Sequence, residues 1–108
     1  MPGSDSSQLA EALFTVDLGT GVVLYCNDNA AALLGRAQAD VHGRAWMDIV
    51  EMAPAPRDIL VRAAQVDHRV ILPPFSFRCA GGVERFVAGM LMPAGAPSSN
   101  RANLLLWP

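Results

Sequence analysis

The sequence contains no lysine, and its eight basic residues are all arginines. Chemistry that needs a lysine amine, such as Schiff-base formation, is therefore excluded within these 108 residues. The formal charge of −2 predicts no basic surface for nucleic acid or for an anionic membrane. No apolar run approaches the roughly 20 residues that span a bilayer, and the opening residues lack the basic stretch of a secretory signal. We therefore expect a cytoplasmic domain with no nucleic-acid partner and no membrane span.

Cysteine and histidine are also scarce, with two of each. Cys26 and Cys79 stand apart in apolar, strand-like surroundings, which are typical of buried thiols and not of a zinc site or a redox pair. His42 and His68 lie beside predicted helix or strand ends, where a histidine is typically solvated. The common nucleophile, phosphate-loop and zinc-protease motifs are missing. We predict no catalytic residue and no metal ligand, with a small enzyme using His68 and a neighbouring acid as the weaker alternative.

What the chain does contain is an excess of apolar residues. Hydrophobic residues make up 52% of the sequence and charged residues 17%, and 108 residues suffice for one domain but not for two separate cores. Such an excess has two interpretations: a surface meant for a partner or a ligand, or a core rich in alanine and valine. Residues 1–8 are predicted to be a flexible N-terminal segment, and residues 9–108 are predicted to form the domain.

The first half of the chain predicts a hairpin followed by short helices. Two segments rich in β-forming residues flank a turn with two glycines. Capping residues and apolar spacing indicate the helices, the last of which has a predicted buried stripe of Ile59, Leu60, Ala63 and Ala64. The predicted elements are a helix over Ser7–Leu13, strands over Phe14–Asp17 and Val22–Cys26, and helices over Asp28–Leu34, Arg36–His42 and Ala45–Met52. A last helix is predicted to have Pro56 at its first position and to continue over Arg57–Val66.

The second half changes to the two-residue periodicity of strands. Pro73 and Pro74 predict an edge, a bend or a bulge, because proline donates no ladder hydrogen bond. The predicted strands are Val70–Leu72, Phe75–Cys79, Val83–Met92 and Ala102–Trp107. Two strand groups around a helical middle indicate an α+β domain, with a five-stranded antiparallel sheet flanked by short helices and preceded by an N-terminal helix.

Five residues at predicted turns and caps stand at regular spacing: Asp17, Gly21, Asn27, Gly35 and Gly43. This spacing resembles that of the PAS domain. The resemblance extends over about residues 9–107 and departs from the family's pattern in the turn of residues 78–82. It implies a regulatory sensor or dimerisation domain of a bacterial signalling protein, such as a histidine kinase or a diguanylate cyclase, beside an effector domain. The residues themselves form caps and turns, so they identify a scaffold and not its task.

The resemblance also bears on cofactors. Flavin photosensors of the family carry an adduct-forming cysteine where this chain has Trp46. Haem sensors carry a histidine in the helix after the prolines, and this chain has none there. We therefore predict neither haem nor flavin. The lesser alternatives are a non-covalent flavin stacked on Trp46 and a metal held by His68, which follows that helix.

Large apolar side chains are expected to line a pocket between the helices and the sheet. Methionine adapts its shape to small apolar guests, and such linings are typical of ligand sites. The predicted lining is Trp46, Ile49, Ile59, Leu60, Phe75, Phe77, Met90 and Met92. The competing interpretation is a core that these side chains fill completely.

The last two strands are apolar on both faces. In a sheet with one solvated face, apolar and polar residues should alternate along each strand. A second apolar face needs a cover: the N-terminal helix, a second copy of the chain or an adjacent domain. The resemblance favours homodimerisation, and the predicted interface is Leu9, Leu13, Val87, Leu91, Leu105 and Trp107. The leading hypothesis is a sensor that binds a small apolar ligand and couples it to an effector. The alternative is a ligand-independent homodimerisation module with a filled core.

Overall fold

The computed structural model describes residues 11–66, 68–94 and 100–107. Its elements follow the predicted order, with strands towards both ends and helices between them. The strands are β1 (Ala12–Asp17), β2 (Val23–Cys26), β3 (Val70–Arg78), β4 (Glu84–Ala94) and β5 (Arg101–Trp107), and the helices are α1 (Asp28–Leu34), α2 (Gln38–Val41), α3 (Trp46–Ile49) and α4 (Pro54–Ala63). No helix within these ranges is long and apolar enough to cross a membrane.

All strands belong to one antiparallel sheet with the order β2-β1-β5-β4-β3. The last strand therefore lies at the centre of the sheet, between the first strand and β4. It joins the β1–β2 hairpin to the β3–β4 hairpin by pairing with one strand of each. The predicted α+β class with a five-stranded antiparallel sheet is confirmed.

The strand pairing assigns successive side chains to two faces of the sheet, because side chains alternate along a strand. On the inner face, which the helices cover, Leu104 lies opposite Phe14 on one side and opposite Leu91 on the other. These three side chains are buried together with Val87 and Leu106. Each buried leucine or phenylalanine contributes roughly 1.5–3 kcal/mol to the stability of the domain, so this face forms most of the core.

Three aromatic rings connect the helices to the inner face. The Trp46 ring, at the start of α3, contacts the Phe14 ring edge-on at a centroid distance of 5.1 Å and the Phe77 ring at 5.7 Å. Such edge-to-face pairs add about 0.5–1.5 kcal/mol beyond the burial of area. The aromatic cluster thus holds α3 between β1 and β3.

Asn27 stabilises more than the helix that it precedes. Its Oδ1 accepts a hydrogen bond from the Ala30 amide at 2.8 Å, which caps α1, and a second one from the Leu13 amide at 3.1 Å. Its Nδ2 donates to the Glu11 carbonyl at 3.0 Å. Gly35 ends the helix in the left-handed conformation, with φ 69°. The predicted caps of α1 are confirmed, and Asn27 also joins the helix to β1.

Both edges of the sheet are covered over part of their length. At the β2 edge, the Gly43 amide donates to the Val23 carbonyl, and His42 Nε2 accepts from the Cys26 amide at 3.0 Å. At the β3 edge, Glu51 and Arg78 exchange two backbone hydrogen bonds of 2.8 Å. Unpaired edges invite association with other strands, and these contacts reduce that tendency over the part of each edge that they cover.

The proline pair lies where the sequence predicts an irregularity. β3 is an edge strand, and its pairing with β4 shifts between Leu72 and Phe75, around Pro73 and Pro74. The predicted edge and bulge are confirmed. The two predicted segments on either side of the prolines are one strand, because the pairing resumes at Phe75 after the shift.

Several predicted helix boundaries are wrong. Of the predicted N-terminal helix, residues 7–10 lie outside the described ranges, and Ala12 and Leu13 belong to β1. The helix predicted to end at Met52 stops at Ile49, because Val50 is extended and Glu51 pairs with β3. The last helix begins at Pro54, two residues before the predicted first position Pro56, and ends at Ala63, three residues before the predicted end. Proline tolerates this position because its missing N–H has no partner in the first turn.

Candidate functional site

A cleft of about 600 Å³ opens between α4 and the inner face of the sheet. Ligand pockets in proteins typically have volumes of about 300–1,000 Å³. The lining combines the β1–β2 hairpin, the start of α3, one side of α4 and the inner face of β4 and β5. It consists of Val16, Asp17, Leu18, Thr20, Gly21, Ala45, Trp46, Met47, Arg57, Leu60, Val61, Ala64, Gln65, Leu91, Asn100 and Leu104.

Trp46 forms a fixed wall of this cleft. Its side chain is only 6% exposed, and its Nε1 donates to the Met52 sulfur at 3.3 Å. The Phe14 and Phe77 rings occupy its other sides, as described above. Little indole surface is left, so a flavin stacked on Trp46 does not fit this arrangement, and the position offers no thiol for an adduct.

Helix α4 covers the cleft loosely. Ala63 is its only fully buried residue, whereas Leu60 is half-buried and Val61 is 53% exposed although it lines the cleft. Ile59, predicted to be in the buried stripe, is exposed, so that prediction is wrong. A helix that buries so few side chains gains little packing energy, and apolar surface of α4 remains for a guest in the cleft to cover.

The rim of the cleft is polar and ordered by backbone contacts. Asp17 Oδ1 accepts from the Gly19 amide at 2.8 Å, and the Asn100 carbonyl accepts from the Leu18 amide at 2.8 Å. Asn100 has φ 57°, and no other non-glycine residue described has a positive φ. Asparagine tolerates this conformation better than most residues. The β1–β2 turn and the start of β5 are therefore held together at the mouth of the cleft.

The predicted pocket residues divide into three groups. Trp46 and Leu60 line the cleft, as predicted. Ile49 and Phe77 are buried in the core, and Phe75 packs against it. Ile59 lies on the exposed side of α4.

Met90 and Met92 do not belong to the pocket. They lie opposite Leu105 and Asn103 on the outer face of the sheet, away from the helices. Their inclusion in the pocket is wrong because they alternate with Leu91, which is buried on the inner face. The methionines therefore belong to the other apolar surface of the domain.

Val16, Leu18 and Leu104 line the cleft although the sequence analysis did not place them there. A signal existed for the first two, since Phe14, Val16 and Leu18 alternate along one side of β1 and its continuation. For Leu104 the signal was ambiguous, because its strand is apolar on both faces. Its place in the cleft depends on the pairing of β5 with β1 and β4.

The predicted interface residues also separate by face. Leu13, Leu105 and Trp107 lie on the outer face, as the pairing of β1, β4 and β5 shows. Val87 and Leu91 are buried on the inner face, so their assignment to an interface is wrong. Leu9 lies outside the described residues.

The outer face carries a continuous apolar surface across four strands. Leu13 lies opposite Leu105, Leu105 opposite Met90, and Met90 opposite Ile71. Two of its side chains are strongly exposed, Ile71 at 66% and Phe86 at 73%. We call this surface the outer apolar face; it consists of Leu13, Ile71, Phe86, Met90, Leu105 and Trp107.

The reactive side chains have structural partners. Cys26 is fully buried, and burial, together with the nearby Asp28 carboxylate, raises the pKa of its thiol. His42 Nε2 accepts from the Cys26 amide, and its ring stacks on Tyr25 at 5.7 Å. Among residues 11–66, 68–94 and 100–107, no group of three or more His, Cys, Asp or Glu side chains could hold a metal ion. The cysteine and histidine here stabilise β2 and offer no nucleophile–base pair.

Comparison with solved structures shows that the fold is a known one. No family model and no curated protein matches the sequence. The PAS domain of an HTR-like protein from Haloarcula marismortui is 19% identical, with a TM-score of 0.72 over 97% of this chain and 92% of that one. The PAS domain of nitrogen regulation protein NR(II) from Vibrio parahaemolyticus is 13% identical, with a TM-score of 0.73 over 99% and 96%.

A third similar structure is the LOV domain of the blue-light activated histidine kinase EL346 from Erythrobacter litoralis. It is 15% identical, with a TM-score of 0.73 over 89% of this chain and 93% of that one. At sequence identities this low, the structural similarity shows a shared fold but does not show a shared ligand. The chain has the PAS fold, as the spacing of its turn and cap residues predicted.

Proposed function

We propose that this PAS-fold domain is a non-catalytic, cytoplasmic regulatory sensor that binds a small apolar ligand in the cleft beneath α4. The observation that carries the proposal is the cleft itself, with Leu104 of the sheet on one side and Leu60 and Val61 of the loosely packed α4 on the other. Such a site has the size and the mixed apolar and polar lining of ligand pockets in general. Regulatory proteins, a nitrogen regulator and a histidine kinase, are among the structural neighbours that support a signalling role.

In this proposal the ligand acts by changing the packing of α4. A guest in the cleft covers Leu60 and Val61, and each buried CH₂ group contributes about 0.8 kcal/mol. Because the free helix buries so little, this gain shifts the population towards a tightly packed α4. The change reaches β3, on which α4 packs, and so the sheet that carries the outer apolar face.

Homodimerisation through the outer apolar face is the second part of the proposal. Exposed phenylalanine and isoleucine side chains in one contiguous patch are typical of an interaction surface. Because both sheet edges are partly covered, association by face is favoured over strand addition. A dimer would place two copies of an adjacent effector domain in a defined geometry and pass on the state of the cleft.

The alternative is a ligand-independent homodimerisation module, and the aromatic cluster favours it. Phe14, Trp46 and Phe77 pack tightly beside the cleft, so the centre of the core is full. In that case the domain functions only by forming a homodimer through the outer apolar face.

Blocking the cleft distinguishes the two functions. Ala64 lines the cleft and is half-buried, so Ala64→Trp should fill it, whereas Ala55→Trp adds the same side chain on an exposed position of α4. A panel of small apolar compounds is tested by thermal shift against the whole chain. We expect at least one compound to raise the Tm of the wild type and of Ala55→Trp, but not of Ala64→Trp. If no compound raises the Tm, or the blocked variant responds equally, the sensor proposal is wrong.

A further inference from the structure

The polar side chains of the cleft are not equally available to a ligand. Asp17, Thr20 and Trp46 already hydrogen-bond within the protein, through contacts of 2.8, 3.3 and 3.3 Å. Arg57 and Gln65, by contrast, form no side-chain hydrogen bond or ion pair with the residues that the structure describes. Two of the polar groups available to a ligand therefore lie on the α4 side of the cleft, and the Asn100 amide lies on the side of β5.

Among the described residues of the lining, Arg57 is the basic one. A guanidinium is a cationic group that donates hydrogen bonds and accepts none. Arg57 faces the same cleft as the apolar side chains of Leu60 and Leu104. A positive donor beside an apolar floor matches a ligand with a hydrocarbon body and an anionic head.

A carboxylate is the anion that fits best. The planar guanidinium pairs with the two oxygens of a carboxylate in a fork, and the Gln65 and Asn100 amides are further hydrogen-bond donors in the lining. The Asp17 carboxylate shares the cleft and repels a second negative charge. One of its oxygens is engaged by the Gly19 amide at the hairpin turn, so it belongs to the turn. The repulsion disfavours ligands with more than one negative charge.

We propose that the cleft binds an amphipathic monocarboxylic acid, with its hydrocarbon part against Leu60, Val61 and Leu104 and its carboxylate paired with Arg57. This inference rests on the proposed sensor function and names the class of ligand for the same cleft. Arg57 is exposed, so the ion pair is weakened by solvent and by salt. The charge therefore selects among ligands, while the apolar floor supplies most of the affinity.

The test compares an acid with its neutral analogue. Octanoate and octanamide have the same hydrocarbon chain and differ in the charge of the head. Their Kd values are measured by isothermal titration at about 20 mM and 500 mM salt for the wild type, Arg57→Gln and Arg62→Gln. Arg62 lies on the same helix, is exposed and does not line the cleft, so it is the matched control.

We expect the wild type and Arg62→Gln to bind octanoate about three- to fivefold more tightly than octanamide at low salt, as an exposed ion pair allows. Arg57→Gln should bind both equally at either salt concentration, and high salt should remove the preference in the wild type and in Arg62→Gln. If both compounds bind the wild type equally, or Arg57→Gln keeps the preference, the carboxylate assignment is wrong and the sensor function stands. If neither compound binds the wild type, the carboxylate inference fails. The sensor function then fails only if the wider panel of apolar compounds gives no response either.

Discussion

Replacing Asn27 tests directly how α1 is attached to β1. Its side chain makes three hydrogen bonds, to the Ala30 and Leu13 amides and to the Glu11 carbonyl. Asn27→Ala removes all three at once. The Leu13 and Ala30 amides lose their acceptor, and any replacement by water has to enter a partly buried junction between β1 and α1.

The expected change in the free energy of unfolding follows from these three contacts. Loss of a helix N-cap costs about 1 kcal/mol. A second, partly buried amide left without a partner adds about 1–2 kcal/mol, and the lost donation to Glu11 adds a few tenths. We expect Asn27→Ala to lower the free energy of unfolding by about 2–3 kcal/mol. That is a large part of the 5–15 kcal/mol that holds a domain of this kind folded.

Urea denaturation followed by circular dichroism measures this change, and Asn29 provides the control. Asn29 is exposed in the first turn of α1 and makes no side-chain hydrogen bond to the residues described. Asn29→Ala should be neutral or slightly stabilising, because alanine has the higher helix propensity. A loss below about 0.5 kcal/mol for Asn27→Ala, or equal losses for both variants, would refute the reasoning that Asn27 joins α1 to β1.

Two further predictions concern the outer apolar face and the buried thiol. Phe86→Glu, at a position 73% exposed in the single chain, should leave folding intact but convert a dimer to a monomer in sedimentation velocity, because a charge in an apolar interface is costly to desolvate. Ile59→Glu places the same charge on exposed α4 and should remain dimeric, so equal behaviour of the two variants contradicts the interface. The raised pKa and full burial of Cys26 predict that it is alkylated by iodoacetamide far more slowly than a free cysteine at pH 8.5, and at the normal rate in urea. Rapid labelling of native Cys26 would show that β2 opens readily.

Much of the fold could be predicted because its signals are local. Asn27 and Gly35 act within one helix, where a side-chain acceptor and a positive φ are decided by neighbouring residues. Pro73 and Pro74 predict an irregular edge because a missing donor affects any ladder in which they lie. Boundaries were less predictable, as α3 shows, since Glu51 leaves the helix to pair with Arg78 far along the chain.

The candidate site could be predicted only in part. Trp46 and Leu60 were predicted in the lining, but Met90 and Met92 were assigned to the wrong face. Periodicity shows that alternate residues of β4 share a face, and both sets in this strand are apolar. Nothing in the strand itself tells which set faces the helices.

By itself, then, the sequence determined the caps, the turns and the order of the elements, since these depend on contacts between near neighbours. Only the tertiary structure decided which face of the sheet became the core. The placement of β5 between β1 and β4 buries Leu104 and Leu91 under the helices and leaves Leu105 and Met90 outside. The packing of α4 on the sheet brings Arg57 to the same cleft as Leu104. These pairings join residues far apart in the chain, and they are selected by the total burial that the fold achieves.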